Sequence, residues 1–110
     1  MEFSKDLVAA SSIPLILAIL QKEENYGYAI IKEVALLSND HMNWSDGMLY
    51  PVLHRLEKQG MIESFWKTGD TGRKRKYYKI TSGGTVHLQD QREQWELVFK
   101  TLKTSWDHKE

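Results

Sequence analysis

The 110-residue sequence contains no cysteine. Disulfides and thiolate metal sites are therefore excluded, and the composition suits a reducing cytosol. Any excess of charge is missing too: fifteen basic residues balance fifteen acidic ones, so the total gives no pull toward a polyanion. The longest apolar run, IPLILAIL at 13–20, falls far short of the roughly 20 residues a membrane span needs. It also lacks the basic lead and small-residue cleavage site of a signal peptide, so a soluble, cytoplasmic chain with no membrane partner is expected. A catalytic set is absent as well. His41, His54, His87 and His108 are scattered without an i, i+4 metal pair, TSGGT at 81–85 is too short for a phosphate loop, and Glu23–Glu24 sit in a polar connector. Neither enzyme activity nor a metal or cofactor is expected.

What is present is periodic nearly end to end. Ser4 can cap a helix to about Gln21 whose second half is apolar almost all round, with Pro14 placed to bend it. Asn25 is a candidate cap for a second helix, Tyr26 to about Ser38, striped by Tyr26, Ile30, Val34 and Leu37. Asn43 or Ser45 then caps a third, whose apolar positions are Met48, Leu49, Val52, Leu53 and Leu56 and whose stop is Gly60. In this helix Gly47 and Pro51 disturb the opening turns. Pro51 removes the hydrogen bond to the Gly47 carbonyl, so a tilted or loosened first turn is expected, aiming Tyr50 outward. The period then changes: MIESFWK (61–67) and RKRKYYKI (73–80), joined by TGDTG, read as a two-stranded hairpin. Thr81 or Ser82 opens a long fourth helix over about 82–106, striped by Leu88, Trp95, Val98, Leu102 and Trp106.

Three helices, a hairpin and a long helix make a mainly α chain with a small β-hairpin. That order is the winged helix-turn-helix, with the third helix entering the major groove and the hairpin as its wing. The expected organisation is a DNA-binding unit over 1–80, its first helix also meeting a partner copy, and a dimerisation helix over 81–110. On the third helix the outward face carries Ser45, Asp46, Tyr50, Pro51, His54, Arg55 and Lys58, of which Tyr50, His54 and Arg55 suit phosphates or base edges and Lys58 a phosphate. Five basic residues between 73 and 79 stand out against a zero total. Strand alternation puts Arg73, Arg75, Tyr77 and Lys79 on one exposed face; Lys74 and Lys76 share the other with Tyr78 and Ile80, which turn inward. Lys74 and Lys76 remain able to reach the same phosphate.

A small winged head is already a closed core, so the stripe of the fourth helix and the over-apolar first helix lack cover in one copy. A two-fold homodimer through Ile13, Leu17, Leu88, Val98, Leu102 and Trp106 would supply it and would suit near-palindromic double-stranded operator DNA. Near such an axis Trp95 would face its mate across a flat slot lined by Leu7, Ala10, Pro14, Arg92 and Phe99, suited to a planar hydrophobic aromatic molecule.

YGYAIIKEV (26–34), GMLYPVLHRLEKQGMI (47–62) and GRKRKYYKIT (72–81) resemble the PadR family of transcriptional regulators, across nearly the whole chain. The short C-terminal helix with its tryptophan is similar to the compact subfamily that includes lactococcal multidrug-responsive repressors. The resemblance implies a winged-helix dimer, operator binding as a repressor, and relief by a drug-like or phenolic effector held between paired tryptophans at the position of Trp95. Two positions depart from the family pattern: Tyr26 stands where HGY is frequent, and Ile13 where the first helix often carries a polar residue. The competing reading is a winged-helix protein-interaction module that binds no DNA and uses Phe65, Trp66 and Tyr77 as contacts.

Overall fold

The computed structural model describes residues 2–107, so His108 and the end of the expected dimerisation segment lie outside the described residues. Four helices and three short strands follow the order α1 (Lys5–Lys22), β1 (Asn25–Tyr26), α2 (Gly27–Leu37), α3 (Asp46–Lys58), β2 (Ile62–Thr68), β3 (Lys74–Ile80) and α4 (Ser82–Trp106). The mainly helical winged fold is therefore present, with one strand more than expected.

Local chemistry sets most boundaries. Ser4 accepts the Leu7 amide and Ser45 the Met48 amide, each satisfying one otherwise unpaired donor at a helix start. Gly60 ends α3 in the left-handed region at φ +76°, where the Gly60 amide reaches the Glu57 carbonyl and the Met61 amide the Leu56 carbonyl. That pair of bonds is a Schellman stop, which glycine makes without a Cβ clash. Thr81 ties two corners together: its hydroxyl donates to the Gly60 carbonyl at 2.6 Å and accepts the Gly84 amide at 3.0 Å.

Asn25 does not cap α2. It pairs with Tyr78, and Tyr26 with Tyr77, so this dipeptide adds a third strand to the sheet in the order β1-β3-β2. The Asn25 side chain instead accepts the adjacent Tyr26 amide. A two-residue strand leaves no periodic trace; only the neighbouring β3 makes it a strand.

The expected loosening of α3 is also absent. The helix is continuous from Asp46 to Lys58 with Pro51 inside it. Gly47 and Pro51 are both exposed, so the carbonyl freed by the missing amide has water to accept from.

The core joins Ile16, Leu17, Ile19 and Leu20 of α1, Ile30 and Val34 of α2, Trp44, then Leu49, Val52, Leu53 and Leu56 of α3, Ile62, Tyr78 and Leu88. The apolar second half of α1 is thus covered by its own chain on several sides. Leu17 and Leu88, expected at the dimer seam, are fully or almost fully buried here and leave nothing for a partner. Gly84 is buried as well, since a Cβ there would lie 2.7 Å from Ile80 Cγ1 and 3.0 Å from the Met61 carbonyl carbon. The first two turns of α4 therefore pack on the head through Gly84 and Leu88. Past Trp95 the helix leaves it, and every residue from Glu96 to Asp107 is exposed. The molecule is correspondingly elongated, 63 × 31 × 21 Å.

Candidate nucleic-acid interface

Register decides what the wing presents. Glu63↔Lys79, Phe65↔Tyr77 and Lys67↔Arg75 stand opposite one another on one face; Ser64↔Tyr78, Trp66↔Lys76 and Thr68↔Lys74 on the other. On the first face the cations are drawn onto aromatic rings. Arg75 lies 4.5 Å from the Tyr26 ring centre, Lys67 5.0 Å from Tyr77 and Lys79 5.8 Å from Phe65. Lys79 also pairs with Glu63 at 3.2 Å. Tyr77 is half-buried between Tyr26 and Phe65, with ring centres 5.3 and 5.9 Å away, so it stiffens the sheet. Of the three hairpin aromatics suggested as partner contacts, only Trp66 is exposed, at 66%.

The second face begins in the core, where Tyr78 is buried, and turns into the wall of a cleft further out. A cavity of about 510 Å³ lies there, lined by Tyr26, Gly27, Tyr28, Tyr50, Trp66, Arg73, Lys74, Arg75 and Lys76. Four of these nine residues are cationic and none is acidic. Lys74 and Lys76, expected on the inward face, are thus exposed and line the cleft, because the hairpin tip outruns the core beneath it. At the base, the Glu57 carboxylate of α3 accepts a hydrogen bond from the Ser64 hydroxyl and stands 4.0 Å from Lys76. Burial, with the Tyr50 and Glu57 charges adding to it, raises the Tyr78 phenol above the ordinary tyrosine value.

Ser45, Tyr50, His54, Arg55 and Lys58 are all exposed on α3 as expected, but only Tyr50 lines the cleft. Ser45 spends its hydroxyl as the cap. Arg73 and Lys74 are exposed at the tip, where Gly72 takes φ +78° and its amide donates to the Gly69 carbonyl. A helix bearing outward polar groups beside a cleft whose lining is cationic and holds no acidic residue is the geometry that a phosphate backbone and an adjacent groove require.

A second cavity, about 250 Å³, lies between α1 and α4 and is lined by Ala10, Gln91, Gln94, Trp95 and Val98. It brings together Trp95 and Ala10 of the expected ligand set with Val98 of the expected seam. Leu7, Pro14, Arg92 and Phe99 are outside its lining.

Comparison with known proteins is consistent with this geometry. Residues 16–90 match the transcriptional regulator PadR-like family. This chain belongs to that family. A PadR-like transcriptional regulator from Bacillus cereus is 30% identical and superimposes with a TM-score of 0.85, covering 96% of this chain and all of the other. Transcriptional regulator Rv3488 of Mycobacterium tuberculosis is 40% identical over 66% of each chain. Transcriptional regulator YqjI of Escherichia coli is 30% identical over 81% of this chain, which spans 41% of YqjI's length. A PadR-family chain is a transcriptional regulator with a winged-helix DNA-binding fold and not an enzyme. Among the described residues, no helix is long and apolar enough to cross a membrane.

Two residues absent from the expected DNA-binding set, Trp66 and Gly27, also line the cleft. Trp66 stands across from Lys76 at the mouth of the cleft. Its cross-strand partner was the available signal. Gly27 lies under Tyr50. No spacing rule pairs those two, since 22 positions separate them and only packing of α2 on α3 brings them together.

Proposed function

We propose that this PadR-family regulator is a cytoplasmic dimeric repressor whose operator binding is relieved by a hydrophobic aromatic molecule. Tyr50, His54, Arg55 and Lys58 of α3 face the operator, and Arg73, Lys74, Arg75 and Lys76 hold its backbone beside them. The cationic cleft between α3 and the wing carries the DNA half of the proposal. Pairing of two copies is supported by the far end of α4, where Val98, Phe99, Leu102 and Trp106 stay exposed and offer an apolar surface that one chain leaves uncovered. A two-fold dimer would set two α3 helices about one DNA turn apart. The cavity at Trp95 adjoins that surface. A planar compound filling it and its symmetry mate would favour a dimer with mis-spaced reading helices, lowering operator affinity through the difference in its own affinity for the two shapes.

The test is the salt dependence of binding to the DNA upstream of the protein's own gene. Replacing Arg73 and Lys74 with glutamine should flatten the slope of log affinity against log salt by about 0.9 for each phosphate that is no longer neutralised. An unchanged slope and unchanged affinity would overturn the DNA half. For the effector half, titration with flat aromatics should change tryptophan fluorescence and release the DNA, and Trp95→Ala should abolish both.

A further inference from the structure

The structure assigns Gly27 a positioning role: it is the seat that sets where the Tyr50 ring stands in the cleft. Gly27 is buried at the first position of α2, and its φ lies outside the left-handed region, so its backbone does not require glycine. Space does. A Cβ built on Gly27 would sit 2.8 Å from Tyr50 Cζ and closer still to the phenolic oxygen, while no other element crowds it as tightly. Real Cβ atoms do not approach carbon so closely, so any side chain at 27 has to move the ring. The ring can move: Tyr50 is 44% exposed and stands on the outer face of α3, with the open cleft beside it. The cost of a side chain at Gly27 therefore falls on the direction of Tyr50 and little on the core. The tetrapeptide at 25–28 then performs two alignments at once. Asn25 and Tyr26 pair with Tyr78 and Tyr77 and anchor the wing, and Gly27 sets the aromatic that α3 turns toward it.

This inference rests on the reading of Tyr50 as a DNA-facing residue, and a double-mutant cycle separates the two. Gly27→Ala should keep the parent's thermal midpoint or raise it, because alanine is the better helix former. It should also shift the Tyr50 ring signals of a ¹³C-tyrosine-labelled sample, assigned through Tyr50→Phe. Operator affinity should fall about tenfold, the size expected when one hydrogen bond to a charged group is removed. In a Tyr50→Ala background the same glycine change should leave affinity unaltered. An equal loss in both backgrounds would overturn the inference, since Gly27 would then act without Tyr50. Unmoved ring signals would overturn it as well. If Tyr50→Ala alone binds the operator like the parent, the DNA reading of Tyr50 fails while the ring shift still decides whether Gly27 seats it.

Discussion

The wing cleft and the far end of α4 are both exposed, for opposite reasons. The wing carries charge that its own chain has already organised: Arg75, Lys67 and Lys79 lie on aromatic rings, and Glu57 braces Ser64 and Lys76. Far along α4 the exposed groups include large apolar side chains, with Leu102 41% and Trp106 68% accessible. Solvated charge is stable without a partner and selects a polyanion when one arrives. An apolar stripe on a projecting helix is instead an unfinished core. One region is a finished surface, and the other is the face through which we propose that two copies pair.

Four substitutions break or sharpen that contrast. Leu102→Glu combined with Trp106→Glu should convert the proposed dimer to a monomer in sedimentation while the far-ultraviolet spectrum of the head persists. Operator affinity should then drop by about a hundredfold or more, because two linked half-sites are replaced by one. Next, the same change at two points of one helix should read differently. Leu88→Ala should cost about 3 kcal/mol in denaturant unfolding, the range for a leucine deleted from a closed core. Leu102→Ala should cost less than about 1 kcal/mol within a chain and show itself as a steeper dependence of the midpoint on protein concentration.

Tyr78 tests the base of the cleft. Its phenol is raised in the folded chain, so below pH 10 both states keep the proton and nothing is lost. Above that, the unfolded chain binds fewer protons than the folded one, and stability falls with rising pH until the folded phenol also ionises. Urea midpoints measured above pH 10 should fall for the parent and fall less for Tyr78→Phe. The smallest effect is expected at Gly47, where an added Cβ meets only Ser45 Oγ at 3.8 Å. Gly47→Ala should stabilise the protein by about 0.5 kcal/mol in the same denaturant assay, by lowering the entropy of the unfolded chain.

Gly47 and Gly27 also mark how far a sequence can be read. Gly47 drew attention because it sits inside a strong helical pattern, yet α3 is unbroken around it. Gly27 sits at a helix start, where a glycine needs no explanation, and it is the one with a ring against it. The cap at Ser4, the stop at Gly60 and all four helices were legible, and Ser45 and Thr81 were each one of two candidate caps, because these features depend on residues within one or two turns. β1 was not, nor the assignment of Leu17 and Leu88 to the chain's own core. Nor was the placing of Lys74 and Lys76 on the cleft wall.

The sequence by itself thus determined the order of elements, the polar outward face of α3 and the basic run of the wing, since periodicity, capping and stop signals are local. Tertiary structure alone decided which apolar residues are spent inside one chain, which cations are tied to rings, and which glycine lies under the Tyr50 ring. Those outcomes depend on pairs such as Gly27 with Tyr50 and Tyr26 with Tyr77. Their partners are far apart in the chain and meet only when the helices and the sheet pack together.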